Sequence, residues 1–301
     1  LCHFYFLIDQ PVGPGGNTLV QDIDWFSQWL VDFANAWGSF LDTPESFNSE
    51  ILQSFIDTPE FRVQDSMIDG HPNRPGGWNS FNEFFSRELN LGLRPIASPN
   101  DNSVITMPAD CTYRMQYPIS STSTIPEIVI KKSHQFASIP KLLEGSKYAN
   151  SFANGTFVHY FLGPYSYHRF HTPVAGNMEE CYAIKGLTYL EVNLKNGQFD
   201  APDNSGKDPA PGTNSGNGYE FTQARGVVTI DTTNSPYGDM GIVAVIPVGM
   251  CQVSSVNMNG KLGAVEKGDE FGYFLFGGSD IILLFQEGKA PAINTCNTYR
   301  Y

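Results

Sequence analysis

From Ile96 onward the chain breaks into short β-branched and aromatic runs separated by Gly, Pro and Asn. The runs are Val104–Met107, Ile125–Lys131, Thr156–Leu162, Leu187–Leu194, Gly226–Asp231, Gly241–Val248, Phe271–Phe276 and Ile281–Phe285. Each is short and bounded by residues that turn the backbone, so each is a predicted strand. Many short strands at this spacing bury their faces against one another, which points to a β-rich barrel or sandwich. Residues 1–90 follow a different period. Ile23, Phe26, Leu30, Phe33, Trp37 and Phe40 recur every three or four positions, and Trp25, Trp29 and Leu41 widen the same face. That is a helix with one apolar side. The expected class is α+β, with an N-terminal helical region over residues 1–90 capping a β-rich domain over 91–301.

Within the helical region the aromatic stripe is expected to pack inward. Asp42-Thr43-Pro44-Glu45 recurs as Asp57-Thr58-Pro59-Glu60. Each quartet reads as a helix start: an oxygen to cap free amides, a proline in the first turn, an acid at the positive end of the dipole. Asn79 or Ser80 is predicted to cap a helix running through Leu89, with Phe81, Phe84, Phe85 and Leu89 on one side. A further short helix is expected within Lys141–Tyr148.

Charge narrows the partners. Lys and Arg total 18 against 31 Asp and Glu, a formal net charge of −13. A nucleic-acid groove wants clustered cations, and here the densest pair is Lys131-Lys132, so no nucleic-acid partner is expected. An anionic lipid surface is repelled on average, so membrane contact is not favoured. The longest apolar runs, Gly241–Met250 and Ile281–Phe285, fall far short of the roughly 20 residues of a membrane span. A soluble, cytoplasmic protein is the expectation. The five cysteines show no C-x-x-C spacing, so no metal site is expected and buried thiols are the plainer reading. Asn196–Gly218 is rich in Gly, Asn and Pro and has no apolar period. It reads either as a loop covering a substrate or as a tolerated insertion.

Three places carry candidate chemistry. In Leu162–Pro173, His168 and His171 lie three apart among turn residues. Acid/base work, a structural role and metal ligation are all open there, though no third ligand stands in a recognisable place. Gly277-Gly278-Ser279 sits between two predicted strands. It is a tight turn at least, and neither a G-x-S-x-G elbow nor a phosphate-binding loop. Asp110, at the end of an apolar run, is able to orient a histidine or simply to begin a turn.

Taken in order, these stretches resemble the phosphatidylserine decarboxylase family of pyruvoyl enzymes. The likeness covers residues 78–288 and rests on five pieces. They are Phe81-Asn82-Glu83-Phe84-Phe85-Ser86-Arg87-Glu88-Leu89 with Arg94-Pro95-Ile96, then Met107-Pro108-Ala109-Asp110, then Tyr167-His168-Arg169-Phe170-His171-Thr172-Pro173. Val248-Gly249-Met250 follows, and then Glu266-Lys267-Gly268-Asp269-Glu270-Phe271-Gly272, leading into Gly277-Gly278-Ser279. The resemblance implies self-cleavage between Gly278 and Ser279, with Ser279 converted to an N-terminal pyruvoyl group. That group forms a Schiff base with a substrate amine and draws electrons as CO2 leaves. His171 is implied as base for the cut, Asp110 as the residue holding it, and His168 as the group that protonates the product carbon. No metal and no diffusible cofactor are implied. Two residues depart from the family pattern: Asp280 stands where Ser or Thr is usual, and Cys111 where Gly is frequent. A carboxylate beside the attacking oxygen either assists proton removal or opposes the oxyanion.

For the substrate, Asp22, Asp24 and Asp32 on the polar side of the first long helix are the wrong charge for anionic lipid. The expected substrate is a free amino acid, aromatic by preference, with a phosphatidylserine headgroup as the alternative. An unprocessed binding homologue is the reading of another class.

Overall fold

The computed structural model describes residues 2–13, 15–16, 18–130, 135–186, 193–195, 198–200, 219–249, 255–275 and 279–293. Its first part is built from α1 (Cys2–Ile8), α2 (Asp24–Leu41), α3 (Ser49–Ile56) and α4 (Phe81–Phe85). The caps follow the side chains. Asn48 accepts from Ile51 N at the start of α3, and Ser80 accepts from Glu83 N at the start of α4. Glu83 reaches back to accept from Asn79 N, a reciprocal cap shifted by one residue. Helix α4 stops at Phe85 rather than Leu89. Ser86 Oγ donates to Asn82 O, and the Arg87 guanidinium turns inward to donate to Phe61 O and Phe84 O.

The two Asp-Thr-Pro-Glu quartets each end one helix and start a short 3₁₀ one: Pro44 and Pro59 take its first position with Glu45 and Glu60 in its first turn, as expected, but no side chain caps it. Asp42 and Asp57 are the C-caps of α2 and α3, and one 3₁₀ turn follows each. The threonine hydroxyls donate backward, Thr43 to Phe40 O and Thr58 to Ser54 O, instead of accepting from the next turn. The aromatic stripe of α2 also departs from expectation. Among the described residues Trp25 is 70% exposed and Trp29 47%, and Phe33, Trp37 and Phe40 are exposed as well. The rings cover one another instead, with Phe26 on Trp29 and Trp29 on Phe33 at centroid separations of 5.5 and 5.9 Å. The side of α2 facing the body is its small one. Val31, Ala34, Gly38 and Ser39 line a groove of about 500 Å³ opposite Ala224, Ser255 and Leu275.

The second part holds a seven-stranded antiparallel sheet. Its strands are β1 (Thr112–Pro118), β2 (Thr156–Leu162), β4 (Gly176–Ile184), β5 (Arg225–Asp231), β6 (Ile242–Gly249), β8 (Gly263–Val265) and β10 (Ser279–Phe285). The order across the sheet is β8-β4-β5-β6-β10-β2-β1. A second sheet, β7-β9-β3, joins β7 (Val256–Met258), β9 (Glu270–Phe274) and β3 (Arg169–His171). The seven-stranded sheet is open, with β8 and β1 at its edges, so the expected barrel is not closed while the α+β class stands.

Both faces of the large sheet are buried, and the pleat divides them. Ile281, Leu283 and Phe285 of β10 share one core with Phe85, Phe170, Phe271 and Phe274. Ile282 and Leu284 share the other with Phe157, Phe221, Ile125 and Ala137. The expected strand over Val104–Met107 is a loop, because its polar backbone is engaged elsewhere: Lys267 Nζ donates to Val104 O, and Thr106 N donates to Pro173 O. The helix expected within 141–148 is the single turn Ile139–Leu142. Leu187–Val192, Lys131 and Phe276 from the predicted runs, and residues 196–197 and 201–218 of the long Gly-rich stretch, lie outside the described residues.

Candidate active site

Ser279 opens β10, paired on one side with Gly249 of β6 and on the other with Leu162, the last residue of β2. It is fully buried, and its Oγ has no hydrogen-bond partner among the described residues. A buried hydroxyl without a partner is costly, and such groups concentrate where chemistry uses them. Gly277 and Gly278 lie outside the described residues. By strand alternation Ser279 faces the core that contains Phe85 and Phe170, while Asp280 faces the opposite core. Asp280 Oδ1 there lies 3.4 Å from His159 Nε2. The carboxylate that departs from the family pattern is thus turned away from the serine hydroxyl.

His168 lies six residues beyond Leu162, and its carbonyl accepts from Phe274 N at the end of β9. Its ring stacks on Phe85 at 4.0 Å between centroids, on the same core as Ser279's face. It is 1% exposed, and neither ring nitrogen has a hydrogen-bond partner among the described residues. Burial, reinforced by the positive Arg87, pulls its pKa down to about 3; the nearby Ser166 backbone opposes this only weakly. His168 is therefore a neutral imidazole at ordinary pH.

His171 ends β3. Its Nδ1 donates to Gly268 O at 2.9 Å, which leaves Nε2 as the basic nitrogen, 3.1 Å from the Tyr167 hydroxyl. Burial lowers its pKa to about 4, with the Gly268 carbonyl partly compensating and Arg169 adding to the depression. Its backbone N donates to Pro108 O, which lays the Met107–Asp110 segment beside β3. Asp110 receives two bonds from Arg94, at 3.3 and 2.8 Å.

The Glu266–Gly272 stretch builds the support for this histidine. Gly268 supplies the carbonyl on Nδ1, and Thr172 N donates to Asp269 O. Glu270 takes Arg169, the residue between the two histidines' positions, at 2.7 Å. A Cβ at Gly272 would lie 2.2 Å from the Phe170 ring, so only glycine lets β9 approach β3 here. Lys267 runs to the other side, where its ammonium donates to Ser98 O, Asp101 O and Val104 O at 2.6–2.7 Å.

The structure thus gathers His168, His171 and the Asp110 segment around β3, which pairs with β9. Sequence reasoning alone did not single out Tyr167, Arg87, Arg94 and Lys267 as individuals, although all four lie in the five quoted pieces. Glu220 and His159 had no such signal; only tertiary packing brings them to Asp280.

A buried serine at the head of a strand, facing the core on which the neutral His168 is stacked, fits the class of a carboxy-lyase that builds its own prosthetic group. A family model described as phosphatidylserine decarboxylase matches residues 81–299. A decarboxylase, iboD, of Amanita muscaria is 27% identical over 86% of this chain and 77% of its own length. Phosphatidylserine decarboxylase proenzyme 2 of Oryza sativa subsp. japonica is 34% identical over 90% of this chain, which spans 38% of that protein. A phosphatidylserine decarboxylase proenzyme of Fusobacterium nucleatum subsp. nucleatum is 30% identical over 94% of this chain and 81% of its own. The chain belongs to the phosphatidylserine decarboxylase family, carboxy-lyases made as proenzymes whose pyruvoyl group derives from a serine. The residues present fit such a group: among the described residues Ser279 Oγ is buried without a hydrogen-bond partner, and so are the nitrogens of His168 on the same core. Among the described residues no cluster of His, Cys, Asp and Glu is arranged to hold a metal, and no helix is long and apolar enough to cross a membrane.

Proposed function

We propose that this chain is a pyruvoyl-dependent carboxy-lyase that matures by cutting itself between Gly278 and Ser279 and then decarboxylates a free amino acid, aromatic by preference. The observation that carries the reading is the fully buried hydroxyl of Ser279, without a hydrogen-bond partner among the described residues, at the head of an interior strand. In the cut, His171 Nε2 takes the Ser279 Oγ proton, with the Tyr167 hydroxyl bonded to that nitrogen passing it along. Oγ bonds to the Gly278 carbonyl carbon, the C–N bond breaks, and the nitrogen takes the proton back. The Ser279 α-proton then leaves to a base, and the Gly278 carboxylate departs from Cβ with Oγ as one of its oxygens. The resulting enamine rearranges to an imine, and water replaces its nitrogen, which leaves as ammonia. Asp110, ion-paired with Arg94 beside Pro108, fixes the segment on which the His171 backbone rests.

The pyruvoyl group supplies an electrophilic ketone that takes up the substrate amine and accepts electrons as CO2 leaves. His168, stacked on the core that Ser279 faces, is the group placed to return a proton to the carbon that lost CO2. The free-amino-acid reading is supported by the −13 charge and by the Amanita relative, whose name specifies decarboxylation alone. Phosphatidylserine is the second reading, favoured by the exposed aromatic side of α2.

Denaturing mass spectrometry tests the cut. The wild type should give a piece ending at Gly278 and another beginning at residue 279 without an amine. Ser279→Ala should remain one polypeptide and release no CO2. Release of labelled CO2 from tryptophan, other free amino acids and phosphatidylserine vesicles then separates the two substrates. Activity on vesicles alone would reject the free-amino-acid reading, and an uncut wild type would reject both.

A further inference from the structure

On the far face of the sheet from Ser279, three ionisable side chains meet inside an apolar layer. His159 of β2 is 3% exposed, Glu220 is 1% and Asp280 is 0%. The imidazole lies between the two carboxylates: Nε2 is 3.4 Å from Asp280 Oδ1, and Nδ1 is 3.5 Å from Glu220 Oε1. Around them are Phe157, Phe221, Ile282 and Val248. Burying three charges costs desolvation that a trio of apolar residues would avoid, so their presence calls for a use. The ring nitrogens of His159 lie against the two carboxylates, on the side of the sheet opposite Ser279. What they share is position. Asp280 is covalently next to the residue whose bonds are remade, and β2, which carries His159, is the strand to which Ser279 is paired.

We propose that His159 is a positioning residue for maturation: held between Asp280 and Glu220, it anchors the residue next to the scissile bond while Ser279 attacks Gly278. The inference rests on the assignment of Ser279 as the cleavage residue. Ser279 Oγ must reach the carbonyl of the residue before it while the chain is still intact, so the hydroxyl keeps its aim only if the strand that carries it is fixed on the other side. A misplacement of about 1 Å costs on the order of a hundredfold in such a step. The far-side clamp supplies that fixing without placing a charge in the oxyanion's path. It accounts for an acid at position 280, because a buried carboxylate there is tolerable only against a cation. The charged groups facing His159 are Asp280 from β10, Glu220 from the turn at 219–221, and Arg114 from β1. Burial draws the imidazole toward neutrality, but Asp280 and then Glu220 outweigh it and Arg114 only partly offsets them, so the net shift is upward.

The test follows conversion of freshly synthesised precursor into two pieces across pH. In the wild type the rate should rise as His171 loses its proton and fall again where His159 loses its own, above the usual histidine value. His159→Gln should slow maturation about tenfold or more at neutral pH. The double variant with His159→Leu and Asp280→Thr removes clamp and carboxylate together. It should stay slowed about tenfold, since nothing then fixes the far side, and lack the alkaline fall; maturation at wild-type speed would show that His159 only neutralises Asp280 and would overturn the positioning role. Asp280→Asn keeps the volume and serves if the His159 variant fails to fold; its alkaline fall should move down by about one pH unit. Wild-type maturation speed in His159→Gln, or an unmoved alkaline fall in Asp280→Asn, overturns the proposal and leaves the Ser279 assignment intact. A wild type that is never cut overturns both.

Discussion

His168 and His171 are both neutral through burial, yet they differ in what their nitrogens touch. His171 has its tautomer set by Gly268 O and its free lone pair met by Tyr167, an arrangement that orients a base. His168 has stacking on Phe85 and no hydrogen bond among the described residues, an arrangement that leaves both nitrogens for an incoming molecule. His168→Ala is therefore expected to mature normally and to lose turnover by about a hundredfold or more, the usual span of a proton-transfer group. Uncut His168→Ala protein would contradict the division of labour. Arg87→Met removes a positive charge near His168 and should raise its pKa above about 3, followed by imidazole NMR titration. At this scale the sequence was informative about residue types and mute about neighbours. The Tyr-His-Arg-Phe-His run is visible on the page, but Gly268 is 97 residues from the nitrogen it orients. The pleat that turns Asp280 away from Ser279 needed only alternation, whereas the identity of its partner needed the sheet order.

The Glu266–Gly272 stretch acts as one fitting between the loop at 97–104 and strand β3. Lys267→Met removes an ammonium that bonds three carbonyls, and it should cost about 3 kcal/mol in urea unfolding, within the range for bonds to charged groups. Gly272→Ala sets a methyl against the Phe170 ring and the Asn257 carbonyl. It should destabilise by a similar amount and loosen His171, slowing maturation as well as lowering the melting point. Strand runs from Thr156, Gly226, Gly241 and Ile281 were legible because both faces of those strands are buried, which leaves near-continuous apolar text. Val104–Met107 has the same text but spends its backbone on Lys267 and Pro173. Thr112–Pro118 and Gly176–Ile184 were missed because as half-buried strands towards the sheet's edges they carry too many polar residues. Helix α2 was legible by period. Its orientation was not, since Ala34 and Gly38 permit an approach that the larger rings on the other side forbid.

At the scale of the whole molecule, two buried histidines set how the protein meets acid. The unfolded chain binds protons near pH 6.5, whereas His168 and His171 in the fold hold out to about 3 and 4. Their contribution to stability is complete above 6.5 and is lost as pH falls through the window down to those values, at roughly 1.4 kcal/mol per unit per site. His159 has the opposite sign: its contribution is present below 6.5 and is lost as pH rises through its raised folded value. Urea midpoints should therefore fall steadily from pH 6.5 to pH 4. His168→Phe, which keeps the stacking on Phe85, should flatten that decline. The position of β10 has a separate consequence. Residues 279–285 are bonded to β6 on one flank and to β2 on the other, with both faces sealed. A break just ahead of this strand would create two termini but no departing fragment: the short segment would stay threaded through the centre of the molecule as a captive. Dilution should never separate the halves, and mixing them after complete denaturation should require the long one to close around the short one before either regains form.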